Sequence, residues 1–257
     1  MTKPGERFNL AGRTAMVTGS SRGIGRAIAI GLAEAGADVA IHCSSNMLAA
    51  EQVRDDIRRL GRKCGVIQAD LAVPGAARSA FDQAVAILSR VDILVLNASV
   101  QYRHAYSEVT PEEIDQQVTV NLRSVVEMIQ CALPPMRTRS WGRVLMIGSV
   151  QERRPHPEMP IYAALKAATS NLVHNLAKQV AADGVTVNNL SPGVIDTDRN
   201  ADALGKADSR ERVVRKIPAQ RIGQPHDCVG PALLLCSDAG SYITGIDLYV
   251  DGGLGLP

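Results

Sequence analysis

No apolar run in this 257-residue chain approaches the ~18 residues that a bilayer-spanning helix needs, so no membrane contact is expected. Met1–Arg13 is short and polar and lacks the apolar centre of a secretory leader. Net charge is only +2, which removes the usual electrostatic reason to expect nucleic acid or an anionic surface as a partner. The five cysteines (43, 64, 131, 228 and 236) have no metal-ligand spacing, and no metal is expected. Cys64 falls in or beside an expected strand, and Cys131, Cys228 and Cys236 in helical stretches. They read as small core residues, and a reducing cytoplasm is the expected setting. No internal repeat, low-complexity tract or linker marks a second domain. A chain of this length buries a full core as one unit, so residues 1–257 are expected to form a single domain, with 1–9 as an N-terminal extension.

What is present is a regular alternation of short apolar runs and helix-length segments. The runs are Thr14–Thr18, Asp38–His42, Gly65–Ala69, Asp92–Asn97, Arg143–Gly148, Val185–Leu190 and Asp247–Val250. Most are continuously apolar, as parallel strands covered on both faces must be. The alternation predicts an α/β fold, a doubly wound parallel sheet with helices on both faces. The first run leads directly into Gly19-Ser20-Ser21-Arg22-Gly23-Ile24-Gly25. An apolar helix pattern follows (Ala27, Ile28, Ile30, Leu32, Ala33) and stops at Gly36. Strand, glycine turn and helix start are the context that a dinucleotide pyrophosphate requires. Glycines let the backbone approach the phosphates, and the helix N-terminus offers unpaired N–H groups and a positive dipole end.

Tyr162 and Lys166 are four residues apart, one turn along a helix face. A free tyrosine titrates near ~10, too high for useful proton exchange at neutral pH. A fixed ammonium beside the phenol favours its ionised form and brings it toward the range of a working acid/base. Ser149, at a strand end, is placed to hold the same substrate oxygen. Alone, Tyr-x-x-x-Lys is a weak signal; it gains weight from the dinucleotide site that precedes it.

These residues, in this order, resemble the short-chain dehydrogenase/reductase family from about Leu10 to Gly253. The match begins with Thr18-Gly-Ser-Ser-Arg-Gly-Ile-Gly25. It continues with Asp70-Leu71 after a strand, Asn97-Ala98-Ser99 at the end of the fourth strand, and Asn121 in a helix. Ser149, Tyr162 and Lys166 follow, then Pro192-Gly193, Ile195 and Thr197. The resemblance implies a Rossmann-like domain that transfers hydride between a nicotinamide and a carbonyl/alcohol pair. It implies that Tyr162 donates the proton and Ser149 holds the substrate oxygen. Lys166 would lower the tyrosine's pKa and hold the nicotinamide ribose, and Asn121 would help organise a water-linked proton path. Asp70 and Leu71 would contact adenine, and Pro192, Gly193, Ile195 and Thr197 would flank the nicotinamide. It also implies a homotetramer. The helix Tyr162–Ala182 carries the small residues Ala163, Ala164, Ala167, Ala168, Ser170, Ala177 and Ala181, which suit an isologous helix interface.

An NAD enzyme commonly carries Asp or Glu after the second strand. Here that place reads Cys43-Ser44-Ser45-Asn46, with no acid, while Arg22 lies in the glycine turn. Arg22, Ser44 and Ser45 suit a 2′-phosphate, so NADP(H) is expected over NAD(H). Within the family the pattern is most similar to 3-oxoacyl-carrier-protein reductases, with bacterial sugar and polyol dehydrogenases as the alternative. Those reductases dock an acidic carrier with two arginines; here the matching places hold Ser140, beside Arg139, and Asp183, which repels such a partner. Ser99 replaces the family's usual glycine. Arg153, Arg154 and His156 lie between Ser149 and Tyr162 and suit an anionic substrate; the competing reading turns the arginines into water. The polar stretch Asp198–Gln220 lacks aromatics, although Leu204, Val213, Val214 and Ile217 could line a short apolar slot. A non-catalytic dinucleotide-binding protein is the competing class, and the intact Ser149, Tyr162 and Lys166 set argues against it.

Overall fold

The computed structural model describes residues 3–201, 205 and 207–256. Seven strands form one sheet: β1 Thr14–Val17, β2 Asp38–Cys43, β3 Cys64–Gln68, β4 Ile93–Leu96, β5 Gly142–Ile147, β6 Val185–Pro192 and β7 Asp247–Val250. Their order is β3-β2-β1-β4-β5-β6-β7, and every pairing is parallel. The predicted doubly wound sheet is therefore present. β1, β4 and β5 are buried along their whole length, which is why they read as uninterrupted apolar runs. The helices are α1 Gly23–Glu34, α2 Met47–Arg59, α3 Ala76–Leu88, α4 Pro111–Val118, α5 Ser124–Thr138, α6 Pro160–Val180, α7 Ala207–Val214 and α8 Val229–Cys236.

Successive strand residues point to opposite faces, and the core divides accordingly. Ala15, Val17 and Ile41 pack on one side with Ile28 and Leu32 of α1, Ile57 of α2 and Leu235 of α8. Met16, Leu94 and Val144 pack on the other with Phe81 of α3, Met128 and Met136 of α5 and Val173 of α6. The connections leave β1 for one edge and β4 for the other, so a crevice opens above the C-terminal ends of these neighbours. Open α/β sheets bind ligands at such a switch point.

Two boundaries differ usefully from the sequence reading. β6 runs past Leu190 to Pro192, because Ser191 and Pro192 still pair with Tyr249 and Val250 of β7. Asn121 lies in a π turn, Thr119–Arg123, where α4 passes into α5. The five-residue hydrogen-bond spacing of such a turn leaves no apolar signature in sequence.

The loop after β6 is anchored from below. Ile195 bridges Gly223, and Asp196 N–H donates to the Gly223 carbonyl at 2.8 Å. Gly223 belongs to a loop closed by Asp227, whose carboxylate accepts from Arg221 Nη1 and Nη2 (2.7 and 2.9 Å) and from Gln224 N–H (2.7 Å). Hydrogen bonds from Arg221, then from Gln224, hold the Asp227 carboxyl at about 2, below the usual aspartate value. A depressed carboxylate adds stability above its unfolded pKa and loses it as pH falls through the folded value. Because the Arg221 side of the pair is exposed to solvent, its effect is modest. Asp227→Asn should lower Tm by about 2–4 °C at pH 7. In calorimetry the gap should close as pH falls from about 4 toward 2.

Candidate active site

The glycine turn between β1 and α1 is fixed before any ligand arrives. Gly19 and Gly23 have φ of 61° and 58°, the left-handed region that favours glycine. A Cβ on Gly25 would fall 2.4 Å from Asn97 Nδ2 and 2.5 Å from the Gly19 carbonyl, so the cradle admits only glycine there. Asn97 Nδ2 ties the turn to β4 by donating to the Thr18 and Gly19 carbonyls, each at 2.9 Å. Asn97 N–H and Ala98 N–H both donate to Thr18 Oγ1. His42, which sequence reading passed over, completes the brace. Its Nδ1 accepts from Gly19 N–H at 3.1 Å and its Nε2 lies 2.9 Å from the Ala69 carbonyl, an arrangement that assigns the neutral Nε2–H tautomer. Burial pushes the His42 pKa down, in keeping with that neutral form. Its place in an apolar strand gave no signal of this role.

Around this turn, Ser21 sits in the loop and Arg22 is two-thirds exposed, 3.5 Å from Asp198. Ser44 and Ser45 are exposed just after β2, and Asn46 caps α2 by accepting from Ala49 N–H. Asp70 is exposed and accepts from Ala72 N–H, whereas Leu71 is buried in the core. The unpaired N–H groups at the start of α1 and a surround free of carboxylates after β2 fit a dinucleotide phosphate.

Across the crevice, a cleft of about 410 Å³ is lined by Gly19, Gly23 and Ile24 on one wall and Ser149, Tyr162 and Lys166 on the other. Asn97, Ser99, Pro192, Gly193, Ile195 and Thr197 line it as well. The volume suits a small ligand site. Lys166 is 5% exposed; its Nζ donates to the Ile147 carbonyl at 2.6 Å and lies 5.6 Å from the Tyr162 ring centroid. Burial pushes the Lys166 pKa down, Tyr162 and Glu152 favour its charge, and Arg199 opposes it. Ser149 Oγ accepts from Gln151 N–H at 3.2 Å, which leaves the hydroxyl proton available to a substrate oxygen. The arrangement can hold a carbonyl oxygen with one O–H and protonate it with another.

Asn121 sits one layer back. Its Oδ1 accepts from Val100 N–H (2.9 Å) and its Nδ2 donates to the Val100 carbonyl (2.8 Å). Both side-chain groups anchor the loop after β4, and each keeps a second lone pair or N–H for another partner.

The substrate end corrects the sequence reading. Arg153 does not line the cleft; its guanidinium lies over the Tyr249 ring, 5.8 Å from the centroid, on the outer side of β7. Arg154 and His156 do line it, as do Arg103 and Lys216, which come from distant loops and carried no motif. Burial, then Arg103, pushes the His156 pKa down. Arg199 donates to Ser99 Oγ and to the Ser99 carbonyl, each at 2.7 Å, so the serine in place of glycine clasps the loop after β6. Val213 lines the cleft, but Val214 and Ile217 pack with Ile222 beneath it, and Leu204 lies outside the described residues.

A family model described as enoyl-(acyl carrier protein) reductase matches residues 19–255. A 2-dehydro-3-deoxy-D-gluconate 5-dehydrogenase of Pseudoalteromonas atlantica is 38% identical over 249 residues, 96% of this chain and 98% of that protein. A 3-oxoacyl (acyl-carrier-protein) reductase of Agrobacterium tumefaciens C58, solved with NADP bound, superposes with a TM-score of 0.93 at 43% identity, over 98% of this chain and 97% of that one. A gluconate 5-dehydrogenase of Burkholderia cenocepacia, solved with NADP and tartrate, gives 0.91 at 34% identity, over 98% of each chain. The chain belongs to the short-chain dehydrogenase/reductase family. It is an oxidoreductase acting on alcohol and carbonyl groups.

Tyr162→Phe should remove most turnover while leaving cofactor affinity nearly intact, because a proton donated in the transition state appears in kcat. Steady-state kinetics beside a fluorescence titration of the cofactor measures both; turnover within a few-fold of wild type would contradict the arrangement.

Proposed function

We propose that this enzyme interconverts a ketone and a secondary alcohol with NADP(H), and that its substrate is small and anionic. A bound nicotinamide supplies or accepts the hydride. Tyr162 donates the proton to the substrate oxygen, Ser149 orients that oxygen, and Lys166 favours the ionised phenol and holds the nicotinamide ribose. The glycine turn and the N-terminus of α1 hold the pyrophosphate. Arg22, Ser44 and Ser45 read the 2′-phosphate, Asp70 and Leu71 border adenine, and Pro192, Gly193, Ile195 and Thr197 border the nicotinamide. The NADP bound in the Agrobacterium and Burkholderia relatives supports that preference.

One observation carries the substrate reading. Among the described residues, the cleft is lined by six cationic side chains, Arg22, Arg103, Arg154, Lys166, Arg199 and Lys216, and by a single carboxylate, Asp198. Arg103 is partly offset by exposed Glu158 at 3.5 Å. Even so, Arg103, Arg154 and Lys216 leave the substrate side of the lining with a surplus of positive charge, and a carboxylate gains charge-assisted hydrogen bonds there. Tartrate, a hydroxy diacid, occupies the Burkholderia crystal, and the Pseudoalteromonas relative is named for a sugar acid. This favours the sugar-acid alternative over a 3-oxoacyl-carrier substrate. The carrier-docking places support the same choice. Asp183 is bonded to Arg137 at 2.6 Å, and Arg139 turns inward to the Val91 carbonyl (2.9 Å) and Asp92 (3.5 Å).

We further propose a homotetramer in a reducing cytoplasm. Ala164, Ala167 and Ala168 form an exposed small-residue face on α6, whereas Ala163 and Ala177 pack inward. Among the described residues, no helix is long and apolar enough to cross a membrane.

Two measurements test the reading. Arg22→Ala should weaken NADPH about tenfold or more and leave NADH nearly unchanged, since a charge-assisted phosphate contact contributes about 1.5–3 kcal/mol; equal responses would mean the 2′-phosphate is not read there. Replacing Arg103 and Lys216 by alanine should raise KM about tenfold or more for keto acids while sparing neutral ketones. Arg153→Ala, outside the cleft, should change neither, and equal losses on neutral and anionic substrates would refute charge reading.

A further inference from the structure

Behind Ser149 lies a carboxylate that the catalytic set does not account for. Glu152 is three residues on, in the short turn Val150–Glu152, and its side chain folds back beneath the strand end. Its Oε1 accepts from Ser149 N–H at 2.8 Å. Its Oε2 accepts from Ser191 O–H at 2.9 Å and Asn189 Nδ2 at 3.0 Å, so it also ties the end of β5 to β6. Room for this comes from Gly148. A Cβ there would fall 1.9 Å from Glu152 Oε1 and 2.5 Å from Asn189 Oδ1. Gly148, Glu152 and Asn189 therefore form one packing unit, in which the glycine exists to admit the carboxylate.

We propose that Glu152 is a positioning residue: its carboxylate fixes the Ser149 main chain, two residues past the Ile147 carbonyl that holds Lys166. The inference rests on reading Ser149, Tyr162 and Lys166 as the catalytic set. Serine can hold a substrate oxygen only if its backbone stays put, and a misplacement of ~1 Å costs up to ~100-fold in rate. The Ser149 N–H bond and the Gln151 N–H bond to Ser149 Oγ fix that backbone and hydroxyl together.

The link to Lys166 runs through the end of β5, where Ile147 accepts from its Nζ and Ser149 is held by Glu152, and the same carboxylate adds to the charge around the lysine. Tyr162 on its own helix and Glu152 from the turn after β5 favour the ammonium; Arg199 from the loop after β6 opposes it, as does burial. Glu152 itself is pushed up by burial and by Asp247 of β7, and is held down by Asn189, Ser149 and Ser191. Asn189 Nδ2 also donates to Asp247 Oδ1 at 2.7 Å, and Asp247 Oδ2 lies 3.0 Å from His174 on the surface of α6. Tyr249 and Arg153 complete the charged and titratable surround on the outer side.

Two substitutions separate the roles. Glu152→Gln keeps an oxygen for Ser149 N–H and removes the charge. With the carboxylate gone, Lys166 should release its proton at lower pH. NMR of protein carrying 13C-labelled lysine reads this without turnover, and the alkaline limb of kcat should move the same way. Glu152→Asp keeps the charge and withdraws it from Ser149, so kcat should fall about tenfold with little change in KM for the cofactor. An unmoved Lys166 titration in Glu152→Gln, or Glu152→Asp turnover within twofold of wild type, would overturn the proposal. So would a kcat loss uniform across pH beside an unshifted Lys166, which marks a merely structural glutamate. Wild-type protein that turns over no ketone with either cofactor would instead refute the parent reading, and the Lys166 titration would still report on Glu152.

Discussion

A lysine ammonium held in the interior, next to a phenol, is the constraint around which this molecule is arranged. Burying that charge is unfavourable unless it is paired and hydrogen-bonded. The sheet supplies one partner, the Ile147 carbonyl at the end of β5, and α6 supplies the other by bringing Tyr162 one turn before Lys166. Both depend on α6 packing along the sheet with its first turns at the C-terminal end of β5. That packing is secured through Val173, Ala177 and Val180 of α6 in the core beneath. Displacing the helix by a turn would leave a bare ammonium in an apolar layer and remove the phenol's neighbour together. Fold stability and proton chemistry are thus coupled through one side chain.

The same logic explains what the sequence disclosed and what it hid. Parallel strands buried on both faces must be continuous apolar runs, so β1, β4 and β5 were legible within a residue or two. The glycine turn was legible because Gly19, Gly23 and Gly25 are dictated by positive φ or by the closeness of Asn97, constraints that leave glycine no substitute. The Tyr162 and Lys166 pair was legible because one helical turn is a fixed spacing. Features built from residues far apart in the chain were not. Arg103 and Lys216 reach the cleft from loops more than a hundred residues apart, and no local pattern marks them. Arg153 and Arg154 are adjacent, yet the turn after β5 sends one to Tyr249 and the other to the cleft, a division that only the backbone geometry decides. His42 looked like one more strand residue, although it braces the phosphate turn through Gly19 N–H.

Charge around the cleft sorts into two regions with different tasks. On the α1 side lie Arg22 and the helix N-terminus, which the proposed reading gives to the cofactor phosphates. On the other side lie Arg103, Arg154 and Lys216, which the proposed reading gives to an anionic substrate. Arg199 stands between them, clasped to Ser99 across the crevice, and its charge also bears on Lys166. The serine that departs from the family's usual glycine therefore has a physical consequence: it gives the loop after β6 a polar anchor on the opposite wall.

The central claim is that a nicotinamide hydride passes directly to a carbonyl carbon held over Tyr162. Supplying NADPH deuterated at the transferable C4 position with a small keto acid, and reading the alcohol product by mass spectrometry and NMR, tests it most directly. Deuterium on the carbinol carbon, with none arriving there from heavy-water solvent, is the predicted result. Product carrying no cofactor label, or label taken from solvent at that carbon, would contradict it.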